Sequence, residues 1–139
     1  MVREDYPGGF AGDSSNKFLA SGRTTLENEA FDYVSKLARF RKSSSAIGSG
    51  SLMQYIPQKN LYVYFRYDSR QTILCALNTD TVAVSIHFKD YSERTSKFNT
   101  GTDIVSGQNV TLSDSLQIAP RTIKILELKK TSTDNKSVH

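Results

Sequence analysis

Between residues 25 and 42 the apolar side chains recur at helical spacing. At about 100° per residue, Leu26, Ala30, Phe31, Tyr33, Val34, Leu37, Ala38 and Phe40 fill one half of the wheel. Asn28, Ser35, Lys36, Arg39 and Lys42 fill the other. Thr24 followed by Glu27 has the spacing of a capping box, in which each side chain satisfies an orphan amide of the first turn. Acidic residues stand early and basic ones late, as the helix dipole prefers, and Asp32 is four residues before Lys36. The pattern predicts a helix over residues 25–42 that buries a broad face. Ser43-Ser44-Ser45 ends it, and Gly48-Ser49-Gly50 marks the clearest boundary in the chain.

From Ser51 to Leu128 the period changes. Leu61 to Tyr67 is rich in aromatic and β-branched residues, Asp68-Ser69 reads as a turn, and Thr72 to Leu77 as the return strand. Val82, Val84, Ile86 and Phe88 alternate with Ala83, Ser85 and His87, the mark of a half-buried strand. Further strands are expected around residues 52–56, 103–105, 110–112, 116–118 and 122–128. About eight short strands with no helices between them predict a mainly β fold, an antiparallel β-sandwich. It is preceded by a loop segment and one amphipathic α-helix. Residues 1–23 are turn-rich, although Phe10 and Phe18 suggest packing on something, and residues 130–139 read as a flexible polar tail. The expected division is therefore 1–47, 48–129 and 130–139.

Composition narrows the function more than it defines it. The 139 residues are 37% hydrophobic and 23% charged, enough apolar material for a core. No run approaches the roughly 20 apolar residues of a membrane span, so no membrane partner is expected. The charged start, Met1 to Asp5, does not read as a signal peptide. The net charge of +4 raises the question of nucleic acid. The cations are scattered, and their one cluster, Lys36, Arg39, Arg41 and Lys42, sits where it complements a helix dipole. No nucleic-acid partner is expected.

The chemistry-bearing residues are few. Cys75 is the single cysteine, lies in an apolar run and reads as a small core residue. His87 and His139 have no ligand-like spacing to each other or to Cys75, so neither a metal nor another cofactor is expected. A serine nucleophile paired with His87 lacks the Gly-x-Ser-x-Gly elbow. Asn109-Val110-Thr111 and Asn135-Lys136-Ser137 match the glycosylation pattern only weakly. Of Tyr55, Tyr62, Tyr64 and Tyr67, the pair Tyr62 and Tyr64 shares one strand face and is the candidate for stacking on sugar rings. The competing reading gives that face to packing against another part of the protein.

A resemblance sharpens this picture. Arg3-Glu4-Asp5-Tyr6-Pro7-Gly8-Gly9-Phe10, Asp13, Asn16, Phe18, Gly22-Arg23-Thr24 and Glu27-Asn28-Glu29 stand in the order of a known stretch. Leu37 to Lys42, Gly50-Ser51-Leu52, Tyr62 to Arg66, Leu77-Asn78, Gly101-Thr102-Asp103 and Ile125 to Leu128 continue it. Together they resemble the carboxy-terminal region of α-amylase-family glycoside hydrolases, in the neopullulanase and cyclomaltodextrinase branch of Bacteroides-type bacteria. The resemblance implies that residues 1–47 correspond to a loop and the last helix of a catalytic (β/α)8 barrel, and residues 48–129 to the β-sandwich that follows it. The family's retaining mechanism needs two carboxyl groups about 5–5.5 Å apart. By resemblance these lie upstream, so no catalytic residue is expected in this chain. Arg3 and Asp5 are the substrate-side loop candidates, with an ion pair that orders the loop as the competing role.

The partners implied are the parent's catalytic barrel and an α-glucan. The apolar face of helix 25–42 also suggests folding back on the sandwich or a homodimer through that helix. The compartment stays open between a bacterial periplasm and cytoplasm. Three functions remain: a non-catalytic accessory domain of a maltodextrin, cyclomaltodextrin or pullulan hydrolase, a stand-alone starch-binding module, or a sugar-independent interaction domain.

Overall fold

The computed structural model describes residues 5–130. The chain divides into two compact units, the first ending at Arg39 and the second beginning at Phe40. Helix α1 (Thr25–Ser43) crosses that boundary.

In the first unit, short-range hydrogen bonds order a loop rich in glycine and small polar residues. Asp13 Oδ2 accepts the amides of Gly9 and Phe10, both at 2.9 Å, and Asn16 Oδ1 accepts that of Phe18 at 3.0 Å. Gly22 lies so close to the chain that a Cβ there would sit 1.9 Å from the Asn16 carbonyl oxygen, so only glycine fits. Arg23 closes the loop onto the helix. Its Nη1 donates to the Lys17 carbonyl at 2.9 Å and its Nε to Asn28 Oδ1 at 2.8 Å, while the guanidinium lies 3.9 Å from the centre of the Phe31 ring.

The capping box forms as its spacing predicts. The Thr24 amide donates to Glu27 Oε2 at 2.7 Å and the Glu27 amide to Thr24 Oγ1 at 3.3 Å. Lys17 joins Glu27 at 2.7 Å, and that bond, with the Thr24 amide, holds the Glu27 carboxyl down to about 2. The expected burial of the helix is not seen: none of its 19 residues is buried, and Leu26 and Val34 are 75% and 62% exposed. The amphipathic pattern sets which face is apolar, and on that face Arg23 lies over Phe31 while Phe40 packs against Ala46, Ile73 and Cys75.

The second unit is the sandwich. Strands β1 (Ser51–Gln54), β2 (Leu61–Tyr67), β3 (Thr72–Asn78), β8 (Thr122–Lys129), β5 (Thr100–Asp103) and β6 (Asn109–Thr111) form one antiparallel sheet in the order β1-β2-β3-β8-β5-β6. Strands β4 (Val84–His87) and β7 (Ser115–Ile118) form a second. The two sheets enclose Val63, Phe65, Leu74, Ala76, Leu126 and Leu128 from the large sheet and Ile86 and Ile118 from the small one, with Phe88. Phe65 meets Tyr55 and Tyr91 with ring centres 6.0 and 6.3 Å away.

Three details depart from the sequence reading. Residues 45–49, read as the helix end and the start of the Gly48-Ser49-Gly50 boundary, form the short helix α2 (Ser45–Ser49), whose first turn is capped by Ser44 Oγ accepting the Ile47 amide at 3.2 Å. Its Ala46 packs on Ile73 and Cys75, on the outer face of the large sheet. That covering explains why β3 is buried on both faces, as its unbroken apolar run allows. Next, a 3-10 turn, Phe88–Tyr91, and the single-turn helix α3 (Ser92–Thr95) interrupt the run of strands. Finally, β5 stops at Asp103 instead of beginning there. Asp103 Oδ1 accepts the amides of Val105 and Ser106, at 2.8 and 2.9 Å, and so builds the β5–β6 turn.

Asp103 also makes the buried end of an ion pair, with Lys124 Nζ 2.7 Å from Oδ2. Burial alone would raise its pKa; the Lys124 ammonium and the two amides outweigh it and hold the carboxyl below the usual value. The sign follows from linkage. A depressed folded pKa stabilises fully above the unfolded value, 3.8, and that stability disappears as pH falls through the folded one. Asp103→Asn is therefore expected to cost about 1–2 kcal/mol at pH 7. Urea unfolding at pH 7 and below pH 3.8 checks this, since the difference from wild type should shrink on acidification. A pH-independent difference would refute the linkage.

Candidate functional site

Alternation in β2 sends Val63 and Phe65 into the core and Tyr62 and Tyr64 onto the outer face, as its period predicts. The two tyrosine rings are 5.3 Å apart and tilted by 32°. Tyr64 lies directly across from Cys75 and packs against the cluster of Ala46, Ile73 and Cys75, as do Phe40 and Ile47. Burial, and then the neighbouring Cys75 thiol, push its phenol well above the usual range. Burial likewise raises the Cys75 thiol, which is the small core residue expected. Tyr62 sits beyond this layer, with its hydroxyl donating to Gln54 Oε1 at 2.7 Å. The register places Tyr62, Leu77 and Ile123 in one row across β2, β3 and β8. These three side chains are half-buried, an apolar strip next to α2 on the same face.

Asp5 is exposed, in the loop of the first unit. Arg3 lies outside the described residues, as do residues 131–139 of the polar tail and with them His139. The structure therefore brings Tyr62 and Tyr64 together. Their surroundings differ: Tyr64 packs against the cluster that includes Ala46 of α2, and Tyr62 bonds to Gln54.

The shifted carboxylates do not suit general-acid work, which needs a raised pKa near the working pH. Glu27, Asp68, Asp80 and Asp103 are all shifted downward. Asp68 is held there by the Ser45 hydroxyl and by amides of its own turn, and Asp80 by the Asn60 side chain and the Thr81 amide. Each is a turn or cap residue. Among the described residues no three His, Cys, Asp or Glu side chains converge to hold a metal ion, and no helix is long and apolar enough to cross a membrane.

Sequence reasoning missed a cleft between the β2–β3 turn and the segment around α3, where Arg70 faces Arg94 and Lys97. More than twenty residues separate its two walls along the chain, and neither wall carries a motif.

Solved structures with this fold include α-amylases. The chain is similar to AmyP crystallised with maltose, at TM-score 0.68 and 15% identity, over 81% of this chain and 23% of that one. It is also similar to the α-amylase of Geobacillus thermoleovorans crystallised with acarbose, at TM-score 0.67 and 16% identity, over 79% of this chain and 24% of that one. An Anoxybacillus α-amylase matches at TM-score 0.60 and 17% identity, over 75% and 23%. The chain thus spans about a quarter of the length of these enzymes, and at such identity the likeness is one of fold. The model of the cyclo-malto-dextrinase C-terminal domain matches residues 52–127, which runs from β1 into β8 and takes in every strand of the sandwich. The chain belongs to the cyclo-malto-dextrinase C-terminal domain family.

Proposed function

We propose that this chain is the non-catalytic carboxy-terminal part of an α-glucan hydrolase of the neopullulanase and cyclomaltodextrinase branch, and that it stabilises the catalytic barrel of that enzyme. In this reading, residues 1–47 supply a loop and the last helix of the barrel, and residues 48–129 the sandwich behind it. One observation carries it: the match to the family covers a complete sandwich, while the preceding loop and helix leave Phe10, Phe18, Leu26 and Val34 exposed. So many exposed large apolar side chains need a cover. A barrel that takes α1 as its last helix supplies one. Arg3 and Asp5 then lie in the loop on the substrate side, where they order it. A second copy of the chain through helix 25–42 is the alternative cover, and a stable dimer in light scattering would favour it.

The purified chain is expected to release no reducing sugar from cyclodextrin, pullulan or maltodextrin, and hydrolysis of any of them would overturn the proposal. The gene immediately upstream of the Met1 codon is expected to encode a (β/α)8 barrel. Calorimetric titration with maltoheptaose separates the accessory role from a sugar-binding module. Binding at about 1 mM or tighter, lost in Tyr62→Ala, would support the module. No binding fits Tyr62 and Tyr64 as packing residues.

A further inference from the structure

A cleft of about 360 Å³ opens between the β2–β3 turn and the segment around α3. Arg70 and Asp68 stand on one wall, and Glu93, Arg94, Lys97 and Phe98 on the other. Among the described residues, none of the three cations takes part in an ion pair. The two carboxylates of the lining also accept bonds from neighbouring donors. Asp68 Oδ1 accepts the amides of Arg70 and Gln71, both at 2.7 Å, and Glu93 Oε2 accepts the Tyr55 hydroxyl at 3.4 Å.

Arg94 is held in place before any ligand arrives. Its guanidinium carbon stands 3.5 Å from the centre of the Tyr67 ring, and its Nε donates to Met53 Sδ at 3.2 Å. Among the described residues no hydrogen bond engages its Nη atoms. The edge left over is the planar fork that fits two oxygens of an oxyanion, and its fixed position lowers the entropy lost on binding. Across the cleft, the Asp68 turn fixes the backbone of Arg70. Three cations against two carboxylates leave the concave lining net positive, and a concave surface concentrates that potential. A bare phosphate would leave much of the volume empty, and Phe98 adds an apolar wall suited to a carbon skeleton.

The geometry points to a binding site for a small phosphomonoester. Its phosphate is held by Arg94, Arg70 and Lys97, and its carbon body lies against Phe98. Nothing in this arrangement requires a neighbouring barrel.

Calorimetric titration of the full chain at low salt tests it with glucose 6-phosphate, inorganic phosphate and glucose. Glucose 6-phosphate is expected to bind with a dissociation constant of about 1 mM or tighter, inorganic phosphate more weakly, and glucose not at all. Arg70 and Lys97 are exposed, so the R70Q/K97Q chain should keep the wild-type melting temperature and lose about tenfold or more in affinity. Binding should also weaken as salt is raised. Three results would each overturn the site: no saturable binding of the ester, glucose or inorganic phosphate binding as tightly as the ester, or unchanged affinity in a folded R70Q/K97Q chain.

Discussion

Replacing Asn78 by Asp is expected to destabilise the sandwich by about 3–5 kcal/mol at pH 7, although the side chain keeps its shape. Asn78 is completely buried at the end of β3. Its Nδ2 donates to the carbonyls of Val82, Ile118 and Ala119, at 2.9, 3.2 and 3.0 Å. Its Oδ1 accepts the Asp80 amide at 2.9 Å. One amide group thereby ties the large sheet to the end of β7 and to the β3–β4 loop. In Asn78→Asp, a carboxylate oxygen faces three carbonyl oxygens, and the donors that satisfied them are gone. The buried carboxyl answers by raising its pKa, so that protonation restores one donor. A raised folded pKa favours the native state most below the unfolded value, and that advantage is lost as pH rises through the folded one. Relative to wild type, the loss should therefore be smallest in acid and grow toward neutrality, the same direction as for Asp103→Asn but from the opposite cause, a carboxyl gained with a raised folded pKa instead of one lost with a depressed folded pKa. Urea melts across pH read both. A loss under 1 kcal/mol at pH 7 would show that the amide is not the tie described.

Phe65→Ala is expected to cost about 3–5 kcal/mol. Phe65 is completely buried at the centre of the sandwich, with Tyr55 and Tyr91 against its ring. Alanine removes the burial of the ring and leaves a cavity that two paired sheets close only in part, because the strands are held at fixed spacing by their hydrogen bonds. Domains of this size typically have about 5–15 kcal/mol in total. The variant should thus stand close to unfolding, with a melting temperature lowered by about 15 °C or more. Phe65→Leu, which retains most of the volume, should lose less than about half as much. Differential scanning calorimetry of both chains checks the ranking, and equal losses would argue against a cavity as the cause.

Much of this fold is written locally. The Thr24–Glu27 box, the alternation of β2 and the run of β3 each depend on residues a few positions apart, and each forms as the pattern implies. The wheel of α1 is equally legible, yet it names the apolar face without naming its cover, because amphipathicity is a property of the helix and burial a property of its surroundings. Residues 45–49 misled for a related reason. Serine and glycine read as a helix end and a boundary, but Ser44 Oγ reaches Gln71 Oε1, 2.5 Å away and 27 residues on. Gly50 is needed because a Cβ there would stand 2.4 Å from the Ala46 carbonyl oxygen and 2.6 Å from that of Tyr67. The Ala46 approach is local to the end of α2, while the Tyr67 and Gln71 contacts exist only once β2 has paired with its neighbours.

The same division runs through the candidate sites. Period two alone put Tyr62 and Tyr64 on one face, because successive side chains of a strand must point to opposite sides. Only the packing of α2 gave Tyr64 a place against the Ala46, Ile73 and Cys75 cluster. The sequence by itself determined the strands β2 and β3, the helix cap and the two faces of β2, since each rests on bonds within a turn or on the geometry of a single strand. The pairing of β3 with β8, the burial of Asn78 and the meeting of Arg70 with Arg94 and Lys97 were decided by the tertiary structure. They join residues whose separation along the chain carries no periodic signal, and they become neighbours only when the sheets close on their core.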